Sequence, residues 1–184
     1  YDEPFISYCR WDKLYKRDLI LRNMHLFNTK VSMGEDVNTN AAVLPDCEKI
    51  VVLTDMPKYH YRINQQSIMN TYKENTIFGI VELYQALVKI AQEKKYNPRA
   101  ACAFIGNMVF QEVQTIVRQK SMSFSARKKQ IRKVLDNTPA QVLSAFSEIR
   151  GSKFISIYCS LLEKGALTAC MLIRMAFDVI SGAA

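Results

Sequence analysis

Glu35 and Asp36, two adjacent acids preceded by Gly34, are the residues of this sequence best suited to acid–base work. A carboxylate within hydrogen-bond reach of a hydroxyl can take its proton as the oxygen attacks an electrophile. Gly34 permits a tight turn, and the acids then open a helix predicted through Val37, Ala41, Ala42 and Leu44. Negative charge there meets the positive end of the helix dipole. That placement accounts for both acids without any chemistry, so the local pattern by itself leaves the two readings open.

A second group of polar side chains follows. Lys58-Tyr59-His60-Tyr61-Arg62-Ile63 alternates, which puts Tyr59, Tyr61 and Ile63 on one face of a strand and Lys58, His60 and Arg62 on the other. One face packs and the other is cationic. Asn64-Gln65-Gln66-Ser67 then reads as a polar loop. Upstream, Trp11 and Lys13 fit either a functional surface or a packed Trp with a Lys at its rim, and the packing reading is the plainer one for Trp11. The five cysteines contain no Cys-x-x-Cys pair, and neither His25 nor His60 has a partner at ligand spacing. No metal site is expected from this chain alone. An odd number of cysteines without a disulfide pattern suits a reducing, cytoplasmic setting.

The elements that must position these residues fall into two stretches. Residues 1–74 mix short strands, helices and loops, with Ile50-Val51-Val52-Leu53 as a β-branched strand stopped at Thr54-Asp55-Met56-Pro57. From residue 75 the period becomes helical. Asn75 can cap a helix whose apolar positions are Ile77, Ile80, Val81, Tyr84, Leu87, Val88 and Ala91; Asn97-Pro98, with Asn97 at the cap, restarts a helix carrying Cys102, Ile105, Val109, Val113 and Ile116 inward. A basic helix over Arg127–Leu135 comes next, then Thr138-Pro139-Ala140-Gln141 with the form of a capping box, and Gly151 and Gly165 punctuate the last two helices. The most apolar stretches, 154–162 and 167–180, are bounded or broken by charges and fall short of the roughly 20 uncharged residues of a membrane span.

Charge is divided unevenly. Residues 1–74 hold ten Lys and Arg against ten Asp and Glu, while 75–184 hold fifteen against seven, so the net +8 belongs to the helical stretch. A basic face attracts nucleic acid or anionic lipid, or is simply solvated. No helix-turn-helix, zinc or RNA-recognition signature accompanies it, and aromatics do not interleave with the cations, so nucleic acid is not expected as a partner. Arg127, Lys128, Lys129, Arg132 and Lys133 form a cationic segment able to lie against an anionic membrane surface, and solvation is the simpler account.

Four segments in order resemble the later blocks of bacterial family 2 glycosyltransferases, which are inverting enzymes of the GT-A fold. They are Trp11-Asp12-Lys13-Leu14-Tyr15-Lys16-Arg17, Phe27 ahead of Gly34-Glu35-Asp36, Tyr59-His60-Tyr61-Arg62, and Ser67-Ile68. The resemblance covers about residues 5–75. It implies an α+β fragment: 1–74 as the C-terminal portion of a Rossmann-like α/β domain, with two or three short strands and two helices, and 75–184 as an all-α helical bundle.

The same resemblance implies roles. Asp36 becomes the catalytic base and Glu35 its neighbour, holding the acceptor or acting on the base by like-charge proximity. Arg62, Ser67 and His60 become contacts to the donor pyrophosphate, where a guanidinium fork suits phosphate oxygens; for His60 an ordinary exposed strand end fits as well. Trp11 and Lys13 become acceptor-side or supporting residues. The substrates implied are a nucleotide-sugar donor and a glycan, lipid-linked or cell-surface acceptor, with the enzyme peripheral at the inner face of the cell membrane. A divalent ion, Mg or Mn, is implied too, held mainly by an Asp-x-Asp block that this sequence lacks. With Tyr1 in place of Met, the chain reads as a fragment, inactive alone. The competing readings are a basic helical module for nucleic acid or membrane, and a non-catalytic partner of another transferase.

Overall fold

The computed structural model describes residues 9–53, 73–148 and 153–180. Every regular element among them is helical. In chain order these are α1 (Arg17–Asn23), continued by a 3-10 turn over Met24–Leu26; α2 (Glu35–Val43), continued by a turn over Leu44–Asp46; α3 (Thr76–Glu93); α4 (Arg99–Val117); α5 (Phe124–Asp136); α6 (Ala140–Ser144), continued over Ala145–Glu148; α7 (Lys153–Glu163); and α8 (Leu167–Ile180).

The α+β expectation for the first stretch is therefore overturned, and with it the Rossmann-like portion. Ile50-Val51-Val52-Leu53 belongs to no ladder, and its side chains are exposed, from 52% at Ile50 to 75% at Leu53. The Trp11–Tyr15 run is turn and extended chain. β-branched residues favour strands where a neighbour satisfies their backbone groups and one face is buried. Among the described residues no strand pairs with these runs. The other expected strand, over residues 58–63, lies outside the described residues, as does Gly151.

From Thr76 onward helices occur where the three- and four-residue spacing of apolar side chains predicts them. α3 and α4 pack against each other through Ile77, Ile80, Leu83, Ile105, Val109, Val113 and Ile116, each at most 1% exposed. Their connection is a Schellman turn: Lys95 takes φ 58°, Lys95 N–H donates to Gln92 O at 3.3 Å, and Tyr96 N–H donates to Ala91 O at 2.7 Å. Gly165 repeats the device after α7, with φ 69° and Ala166 N–H donating to Leu161 O at 2.9 Å.

α4 is the axis of the helical part. α3, α5, α6 and α8 all contact it. Its length and apolarity meet those of a membrane span, which the charge-bounded stretches 154–162 and 167–180 do not. Here that apolar surface is turned onto neighbouring helices. Gly106 packs against Phe146 and the Val142 carbonyl, where a Cβ would sit in ordinary contact at 3.5 Å.

Two capping expectations change. Asn75 precedes α3 but its side chain makes no cap; its Oδ1 accepts from Lys133 Nζ at 3.1 Å instead. Thr138 donates its hydroxyl back to Val134 O at 2.8 Å rather than forming a capping box. Asn75 finds its partner on another helix, whereas Thr138 bonds back to the carbonyl four residues earlier at the end of α5. α5 begins earlier than expected, at Phe124, because Ser123 Oγ accepts from Ala126 N–H at 3.2 Å.

Candidate functional site

α2 starts where the acids predict. Gly34 has φ 80° and Asn38 N–H donates to Gly34 O at 3.0 Å, so the chain turns sharply and places Glu35 and Asp36 in the first helical turn. Glu35 is exposed, and the Asp36 side chain retains 26% of its accessible surface.

The Asp36 carboxylate is held from one side by Arg10. Arg10 Nε–H donates to Oδ1, the Arg10 backbone N–H lies 3.3 Å from Oδ2, and Arg10 Nη1–H reaches Thr39 Oγ1 at 3.3 Å. Thr39 in turn donates to Glu35 O at 3.0 Å. A carboxylate has about four lone-pair positions, so two oxygens with one donor each still present free lone pairs.

The chain from Cys9 to Tyr15 also meets α2 one turn on, at Asn40. Asn40 Nδ2 donates to Cys9 O at 3.0 Å, and Tyr15 O–H donates to Asn40 Oδ1. Lys13 Nζ is pinned to Cys9 O and to Asp12 Oδ1, each at 2.6 Å. Trp11 is 44% exposed and so is not packed into the core. Burial, followed by the Asp12 and Asp36 charges, pushes the Tyr15 phenol up to about 12; burial and then Asp12 push the Cys9 thiol up. Both are therefore neutral hydrogen-bonding groups near neutral pH.

Sequence reasoning overlooked Arg10, Tyr15, Asn38, Thr39 and Asn40 as positioning groups. Asn38-Thr39-Asn40 is a poor helix sequence, because such side chains compete for backbone hydrogen bonds. That was the available signal. All three are buried, and Asn38 Oδ1 accepts from Asn28 N–H at 2.8 Å while its Nδ2 donates to Leu26 O at 3.3 Å. Side-chain amides thus fasten α2 to the chain on both sides.

His60, Arg62 and Ser67 lie outside the described residues. Among the described residues no cluster of three or more His, Cys, Asp or Glu side chains could hold a metal ion. Asp36 directs its carboxylate to a guanidinium, so the donor set around it does not fit a divalent cation.

Most of the basic helix is used internally. Arg127 Nη1 donates to Val117 O at 2.6 Å and so caps the end of α4. Lys128 Nζ donates to Thr168 Oγ1 at 2.9 Å, and Lys133 reaches Asn75 Oδ1 and lies 5.8 Å from the Phe78 ring centre. Lys129 and Arg132 are exposed. The cationic segment is thus largely committed to joining α5 to its neighbours.

A groove of about 380 Å³ runs beside α2, lined by Val37, Asn40, Leu87, Tyr96 and Phe104 among others. Asp36 is not among the residues that line it. No family model, characterised protein or solved structure compared with this chain matches it.

Proposed function

We propose that this chain forms the acceptor-side part of an inverting glycosyltransferase in which Asp36 is the general base. The observation that supports the reading best is that the Cys9–Tyr15 chain lies along α2, with Arg10 bonded to Asp36 and with Cys9 and Tyr15 bonded to Asn40 one turn on. These blocks are far apart in sequence. Their meeting along one helix, with Arg10 on the Asp36 carboxylate and Tyr15 on Asn40, suits a base with supporting residues around it.

In the proposed step the acceptor hydroxyl gives its proton to a free lone pair of Asp36. Its oxygen bonds to the anomeric carbon as the bond from that carbon to the donor phosphate breaks. The electron pair leaves on the nucleoside diphosphate, and attack from the face opposite the leaving group inverts the centre. Arg62, Ser67 and His60 are assigned to the departing pyrophosphate, whose growing charge cationic and hydroxyl donors stabilise. Glu35, exposed beside the base, is assigned to the acceptor. No step is routed through a divalent ion.

The test is Asp36→Asn in the full-length protein, with nucleoside diphosphate release followed against a panel of nucleotide sugars and acceptors. Loss of a base costs roughly 100-fold or more in kcat. Donor affinity should stay within about twofold, because the base acts on the acceptor. Wild-type turnover by the variant, or loss of donor binding equal to the loss of turnover, would remove Asp36 from this role.

A further inference from the structure

The geometry points to Arg10 as the positioning residue for the Asp36 carboxylate, a role that no motif in the sequence suggests. The inference rests on the reading of Asp36 as the base.

Asp36 stands on a first helical turn with a quarter of its side-chain surface exposed, so its carboxylate is free to rotate unless something holds it. Arg10 holds both oxygens: Nε–H takes Oδ1 and the backbone N–H approaches Oδ2. The guanidinium is itself oriented by Nη1–H on Thr39 Oγ1, one turn further along α2. The Arg10 backbone is placed by its neighbours, since Cys9 O receives both Asn40 Nδ2–H and Lys13 Nζ–H. A planar guanidinium bonded at two points, with the backbone N–H of the same residue on the second oxygen, orients the carboxylate in a way a point charge does not. A lone pair without a donor then takes the proton of the acceptor hydroxyl as the new bond to the anomeric carbon forms and the bond to the donor phosphate breaks.

Arg10 is 42% exposed on its side chain, and ion pairs so exposed add little to stability. Its removal should therefore leave the fold intact, which makes the kinetic test clean. The guanidinium also gives the ionised base a counter-charge without touching substrate, so it acts through Asp36.

The experiment compares Arg10→Ala, Arg10→Lys and Asp36→Asn in the full-length protein, measuring kcat, KM for donor and acceptor, and thermal midpoint, with and without millimolar guanidinium. Arg10→Ala should lower kcat by about 10- to 100-fold, the scale of a misplaced reacting group, with donor KM within about twofold. Guanidinium should restore part of that loss but none of the loss in Asp36→Asn. Arg10→Lys should fall between wild type and Ala, because it keeps the charge but not the fork. If Arg10→Ala turns over like wild type while Asp36→Asn is inactive, the positioning role is wrong and the base reading stands. An Arg10→Ala variant that loses thermal midpoint along with kcat and gains nothing from guanidinium marks Arg10 as structural and overturns the proposal. Wild-type turnover by Asp36→Asn removes the base itself.

Discussion

Lys94 sets its ammonium 2.7 Å from Asp46 Oδ2 and 2.8 Å from Oδ1, bonding the C-terminal cap of α3 to the turn that follows α2. Asn23 completes the junction: its Oδ1 accepts from Lys94 Nζ at 2.8 Å and its Nδ2 donates to Asp46 Oδ2 at 2.9 Å and to Leu19 O at 2.9 Å. Three elements, α1, α2 and α3, meet at one partly buried polar knot. The helix that carries Asp36 is held to the helical core here as well as by its apolar face.

Lys94→Met keeps the aliphatic stem and removes the charge. It should cost about 1–2 kcal/mol at neutral pH, the scale of a lost charged hydrogen bond with a partner left behind. The hydrogen bond from Lys94, then that from Asn23, hold the Asp46 carboxyl below its usual range. A depressed carboxyl contributes stability that is present above the ordinary Asp range and is lost as pH falls through the depressed value. The gap between wild type and variant in urea unfolding should therefore close in acid. A gap of the same size at neutral pH and well below the Asp range would show that the pair is not its source.

Gly34→Ala tests the turn that aims the site helix. Gly34 has φ 80°, and an added Cβ would come within 2.5 Å of Leu83 Cδ2, a fully buried side chain. Left-handed backbone costs a residue with a Cβ about 1–2 kcal/mol, and moving a buried Leu adds to that. A loss of about 2–3 kcal/mol in urea unfolding is expected on those grounds. A loss under about 0.5 kcal/mol would mean the turn relaxes freely, as at an ordinary surface site.

Glu112 carries the other pH dependence. It is 8% exposed on the core helix α4, its Oε1 is buried with no hydrogen-bond partner among the described residues, and burial pushes its carboxyl up to about 7. A raised carboxyl contributes stability that is fully present below the ordinary Glu range and is lost as pH rises through the folded value. Wild type should thus be less stable at about pH 8 than at about pH 5, and Glu112→Gln should be more stable than wild type at the higher pH by about 1–2 kcal/mol. Parallel pH profiles for the two proteins would show that Glu112 stays charged in the fold.

What the sequence determined by itself is what local bonding and period determine. Apolar side chains at three- and four-residue spacing define α3 and α4 because a helix satisfies its own backbone, and Gly34 ahead of Glu35 marks a helix start because left-handed backbone favours glycine. Ile50 to Leu53 shows the limit: a strand needs a neighbour from elsewhere in the chain, and β-branching says nothing of whether one is there. The tertiary structure alone decided which side chains meet. Arg10 reaches Asp36 across twenty-six residues, Lys94 reaches Asp46 across forty-eight, and Asn75 gives up its capping role to Lys133 across fifty-eight. Each outcome depends on how helices pack, because a polar side chain brought beside two partners takes the one whose geometry and charge give the stronger bond.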